Sequence, residues 1–110
     1  MGITVKPTDD FVRELKRISK KHKSILSDIA EISRQLKDNP RLGTDLGQNF
    51  YKIRIAISGT GRGKSGGARI ITYVLLNNET VLLAEIYLKS EYDNIDINAL
   101  LKNLKDDGFI

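Results

Sequence analysis

The stretch Phe50-Tyr51-Lys52-Ile53-Arg54-Ile55-Ala56-Ile57-Ser58 sets Tyr51, Ile53, Ile55 and Ile57 in alternation with Lys52, Arg54, Ala56 and Ser58. Successive side chains of a strand point to opposite faces, so this pattern predicts a strand with one face packed and Lys52 and Arg54 together on the other. Downstream, Ala68 to Leu76 is β-branched and apolar, Asn77-Asn78 suits a tight turn because asparagine tolerates positive φ, and Thr80 to Leu88 reads as a further strand. The expectation is a three-stranded meander whose first connection is the glycine-rich loop around GTGRGKSGG.

Upstream, a short extended piece near Ile3 to Lys6 ends at Pro7, which cannot supply a ladder donor. From Thr8, a helix cap followed by Asp9 and Asp10, the residues Phe11, Leu15 and Ile18 recur at helical spacing. After a break at His22 to Ser24, Ile25, Ile29, Ile32 and Leu36 repeat the pattern until Asn39-Pro40, where the residue before proline is pushed out of the helical region. These are two antiparallel helices. Arg41 to Asn49, rich in glycine and polar groups, reads as a loop. Near the end, Asp96 caps a short helix with an apolar stripe of Ile97, Leu100, Leu101 and Leu104, and Gly108 lies just past it. The fold class is α+β: a short N-terminal strand, two helices packed on a twisted antiparallel sheet, and a short C-terminal helix. Residues 1–110 read as a single domain, and no internal repeat or linker interrupts them.

The charge is distributed unevenly. Between Asp45 and Glu79 there is no acidic residue, yet Lys52, Arg54, Arg62, Lys64 and Arg69 lie there; these five cations exceed the net charge of +4. A positive field focused on one hairpin suits a polyanion, with nucleic acid first. With 40% apolar and 29% charged residues the chain has an ordinary globular balance. No cysteine and a single histidine, His22, leave no disulfide framework and no zinc cluster, so neither a metal nor a cofactor is expected. The opening residues lack an apolar run behind a basic start, and no stretch approaches the roughly 18 apolar residues of a membrane span. A cytoplasmic setting follows as the expectation.

Gly63-Lys64-Ser65 matches the end of a phosphate-binding loop, but that motif needs a glycine where Ser58 stands and a helix where Ala68 to Leu76 reads as strand. The better reading has Arg62 and Lys64 holding a nucleic-acid backbone while the glycines permit close approach.

Tyr51-Lys-Ile-Arg54, then Gly63-Lys-Ser-Gly-Gly-Ala-Arg69-Ile-Ile-Thr-Tyr73, then Ile86-Tyr-Leu-Lys89-Ser-Glu91, after two helices and a short strand, resembles the RelE/ParE toxin superfamily and most closely its HigB-like branch. The resemblance covers nearly the whole chain in element order. It implies a toxin of a type II toxin-antitoxin module, a ribosome-dependent mRNA endoribonuclease (mRNA interferase) that cuts messenger RNA without a metal and is restrained by a cognate antitoxin. Carried across, it implies that Lys52 and Arg54 surround the scissile phosphate, that Arg69 stabilises the transition state, and that Lys89 is a further basic position. The catalytic tyrosine of some members sits further along than Tyr92, so this chain departs from the pattern there. ParE-like relatives, which inhibit DNA gyrase without chemistry, and a degenerate RNA-binding module are the alternatives.

Cleavage by the RNA's own 2′-hydroxyl needs a base, an acid and charge stabilisation. A lysine crowded by cations gives up its proton more readily, while arginine stays charged and binds two phosphate oxygens, so Lys52 suits the first role and Arg54 and Arg69 the last. Tyr92, Lys89 and Glu91 all stand as candidates to protonate the leaving oxygen. Structural roles stand beside these: Lys52 and Arg54 as solvent-facing strand residues, Arg69 paired with Glu85 across strands, Tyr73 and Tyr87 as packing, His22 as a surface residue, and Lys16, Arg17, Lys20 and Lys21 as a solvated helix face.

Overall fold

Thr8 joins the first two elements. Its hydroxyl accepts the Phe11 N–H at 3.2 Å, capping the helix, and donates to the Ala84 carbonyl at 3.3 Å, tying that cap to a strand far along the chain. The computed structural model describes residues 2–57, 63, 66–75, 79–91 and 94–110. In chain order the elements are β1 (Thr4–Pro7), α1 (Asp9–Ser19), α2 (Ile25–Asp38), β2 (Thr44–Gly47), β3 (Phe50–Ile55), β4 (Ala68–Val74), β5 (Thr80–Leu88) and α3 (Ile97–Asp106). The α+β architecture expected from periodicity is present, including the short first strand and the C-terminal helix.

The strands form one sheet in the order β1-β5-β4-β3-β2. The meander β3-β4-β5 is antiparallel throughout, and β1 joins its β5 edge in parallel, with Val5 opposite Val81. One expectation is corrected: Arg41 to Asn49 is not all loop, because Thr44–Gly47 forms β2 against β3. Gly47, Gln48 and Asn49 all take positive φ, and this tight left-handed turn brings the two strands together. The predicted Asn77-Asn78 turn lies outside the described residues, although Leu75 N–H donates to the Thr80 carbonyl at 3.0 Å across its base.

Strand alternation divides the core. Phe11 and Ile18 of α1 and Ile25, Ile29, Ile32 and Leu36 of α2 pack on one face, over Ile53, Ile55, Ile70, Val81, Leu83 and Ile86. On the other face Leu100 and Leu104 of α3 cover Phe50, Ile71, Tyr73, Leu82 and Tyr87. Phe50 and Tyr73, register partners, meet edge to face with centroids 4.9 Å apart. Asp96 caps α3 by accepting the Ala99 N–H at 3.1 Å, as its position before the apolar stripe predicts.

Candidate nucleic-acid interface

In β3, Lys52 and Arg54 are spaced to share a face, while Ile53 and Ile55 are buried under the helices. Register places Arg54 directly opposite Arg69 of β4. Val74 N–H donates to the Asn49 carbonyl at 2.9 Å, which fixes the phase of the ladder and makes the 54–69 rung a non-hydrogen-bonded pair. In such a rung the Cα atoms stand about 4.5 Å apart and the side chains are at their closest. Like charges directly opposite repel, so this rung brings two cations together across the strands. Lys52 stands one rung further along the same face, opposite Ile71.

The same rung continues into β5. Arg69 lies opposite Tyr87, and Glu85 lies opposite Ile71, so the expected Arg69–Glu85 rung is corrected. A β-bulge at Ala84 slips the register by one residue between Ile71 and Thr72, and even without that slip Arg69 would face Ile86 rather than Glu85. Glu85 is half-buried, and its carboxyl is pushed above the ordinary range, first by burial and then by Glu14 and Asp10 of α1. Tyr87 is fully buried in the α3 cluster and Tyr73 is buried beside it, in keeping with packing roles.

The cations differ in access. Arg54 is exposed and Lys52 partly so, but Arg69 retains only 2% of its surface, with Nη1 donating to the Ala68 carbonyl at 3.3 Å. Arg69 is therefore shielded where Arg54 is not. Lys89 follows β5, and its N–H donates to the Gly67 carbonyl at 3.0 Å. It stands at the end of the sheet where β3 finishes and β4 begins, the end that carries Arg54 and Arg69. Arg62, Lys64 and Tyr92 lie outside the described residues.

Gly67 has a different role from the one its loop suggested. A Cβ on it would overlap the Ile55 carbonyl oxygen, so here glycine serves the contact between β3 and the approach to β4. Two ionic details also escape sequence reasoning. Arg17 donates from Nη1 and Nη2 to both carboxylate oxygens of Glu91 at 2.8 Å, and from Nε to Glu14 at 3.0 Å, so it is more than a solvated helix residue. This holds the Glu91 carboxyl below the usual carboxylate range, which makes Glu91 a poor proton donor. Arg41 lies over the Tyr51 ring at 5.7 Å and donates to its hydroxyl at 2.7 Å. No local motif announces either long-range pair.

Taken together, the described residues offer an exposed arginine, a partly exposed lysine and a buried arginine on one sheet face, with a second lysine at the same end. Of this set, Lys52 and Arg54 have the solvent access needed to meet a phosphodiester.

No known family profile matches the sequence. The fold is similar to that of the E. coli toxin RelE, in a mutant form determined in the free state, with a TM-score of 0.56 at 12% sequence identity over 78% of this chain and 82% of that one. The chain therefore has a RelE-like fold. Among the described residues, no helix is long and apolar enough to cross a membrane.

Proposed function

We propose that this protein is a cytoplasmic toxin of a type II toxin-antitoxin module, of the HigB-like kind, that cuts messenger RNA on the ribosome and is held inactive by an antitoxin. The observation that carries the reading is the Arg54–Arg69 rung with Lys52 beside it, three cations gathered on one face of a sheet with a RelE-like fold. In the proposed reaction the RNA 2′-oxygen loses its proton to Lys52 and bonds to phosphorus. The bond from phosphorus to the 5′-oxygen breaks, and that oxygen takes a proton from Lys89 or Tyr92. The products are a 2′,3′-cyclic phosphate and a 5′-hydroxyl. Arg54 and Arg69 stabilise the charge on the pentacoordinate phosphorus, and Arg62 and Lys64 hold the flanking backbone.

The test is cleavage of a message in a purified translation system, read by mapping RNA ends. Arg54→Ala truncates an exposed side chain and is expected to lower cleavage by roughly a hundred- to a thousand-fold, the usual cost of losing preorganised charge stabilisation, without lowering the melting temperature. Intact message with folded wild-type protein overturns the proposal. The burial of Arg69 favours a second reading, a noncatalytic ParE-like inhibitor of DNA gyrase or a degenerate RNA-binding module, because a shielded guanidinium is poorly placed to meet a phosphate. A supercoiling assay run beside the translation assay separates these.

A further inference from the structure

β2 covers only part of β3. Their pairing runs from Gly47–Phe50 to Thr44–Lys52, and among the described residues no strand continues it past Lys52. The ladder phase that makes 54–69 a non-hydrogen-bonded rung turns the N–H and C=O of Arg54 away from β4, and the same alternation carried one residue past the end of β3 at Ile55 would turn those of Ala56 the same way. Both residues are exposed. Beside this open edge runs a groove of about 490 Å³ with α2 as its far wall. That wall presents Asp28, Glu31 and Ile32, and Ile53 and Ile55 lie on the near side. Glu31 is kept ionised by Arg34 and Gln35. A helix wall carrying Asp28 and the Arg34-bound Glu31 thus faces an edge that no described strand covers, and the opposite rim of that edge carries Lys52 and Arg54.

We infer that this edge takes an extended segment of a partner protein, added as a sixth strand end to end with β2. A sheet edge bound in this way supplies affinity through main-chain hydrogen bonds and specificity through alternate side chains. The two sides of the edge dictate the alternation. Residues of the segment facing α2 meet Ile53, Ile55 and Ile32 beside Asp28, so they are β-branched apolar with one lysine or arginine. The intervening residues share the face of Arg54 and are glutamate or aspartate, an opposite-charge pair across strands. The segment is therefore acidic on one face and apolar-basic on the other, and when docked it neutralises Arg54. The docking itself stands whether or not the cationic face cuts RNA.

The experiment uses the full chain, labelled with ¹⁵N, and an acetylated eight-residue peptide alternating glutamate with valine, one central valine replaced by lysine. A second peptide of the same sequence carries N-methyl groups on alternate amides, on the side that would face β3. The first peptide is expected to slow amide exchange at Arg54 and Ala56 at least tenfold and to shift the Asp28 amide resonance. The N-methylated peptide is expected to bind at least tenfold more weakly. Asp28→Asn is expected to weaken the first peptide several-fold and to leave a peptide with valine restored for lysine unaffected. Equal binding of the two peptides, or protection elsewhere than at Arg54 and Ala56, overturns the inference. None of these readouts involves RNA, so a failed cleavage assay and a failed docking assay remain distinct results.

Discussion

Arg54 and Arg69 face each other on the sheet rung where side chains approach most closely. Replacing the exposed partner, Arg54→Gln, is accordingly expected to raise stability by up to about 1 kcal/mol, the scale of a cross-strand like-charge term, while weakening RNA binding. Denaturant titration checks the first effect and RNA anisotropy the second; a destabilised variant would show that the pair is held by compensating contacts. Glu85 supplies a pH test with a definite sign. Burial and the nearby carboxylates raise its folded-state pKa above the ordinary 4.5, so the cost of ionising it appears as pH rises through that raised value and is absent below 4.5, where it is protonated folded or unfolded. Glu85→Gln keeps the side-chain oxygen that accepts the Ile86 N–H at 3.2 Å. Its melting temperature is expected to exceed that of the wild type at neutral pH and to match it at about pH 4. A gain of equal size at both would assign the effect to packing.

At the scale of elements, the helices were the most legible part of the sequence, because Phe11 and Ile18, and Ile25, Ile29, Ile32 and Leu36, keep helical spacing under a cap or before a proline. Strand β3 was equally plain, and its alternation correctly put Lys52 and Arg54 on the face opposite Ile53 and Ile55. β2 was not legible, since its four residues are bracketed by Gly43 and Gly47, and the turn formers that close its hairpin outweigh so short a pattern. Nor was the bulge at Ala84, which is a property of two strands meeting and moved the partner of Arg69 by one residue, from Ile86 to Tyr87. Burial of Arg69 was hidden for a related reason: strand parity gives the face but not what lies over it. The glycines of the β3–β4 connection read as loop flexibility, whereas Gly67 is held against the Ile55 carbonyl. Gly67→Ala is therefore expected to destabilise by about 1–3 kcal/mol, the range for forcing extra atoms into close packing. The denaturation midpoint measures this, and an unchanged midpoint would mean that the strand ends separate freely.

For the whole molecule, the decisive quantity is where the charge sits rather than how much there is. The net charge of +4 is modest, but five cations lie on the acid-free segment between Asp45 and Glu79, while all 14 carboxylate side chains lie on or outside those two residues. On α2 and the α1 face the charges are interleaved, with Arg34 bound to Glu31 and Arg17 bound to Glu14 and Glu91. Paired cations have little to gain from a phosphate, because each would have to leave a carboxylate. Single-stranded RNA should therefore meet one face of the protein, and its binding should weaken with salt in proportion to the phosphates neutralised there, by roughly 0.7 in the log–log slope for each. Replacing both Lys52 and Arg54 by glutamine is expected to reduce that slope by about 1.4, whereas replacing Lys16 and Lys20 of the α1 region leaves it unchanged. Fluorescence anisotropy of a labelled oligonucleotide between about 50 and 200 mM salt reads both. If the α1 pair carried the larger share, the polyanion would lie on the helical side of the sheet, and the Arg54–Arg69 rung would need an explanation within the fold itself.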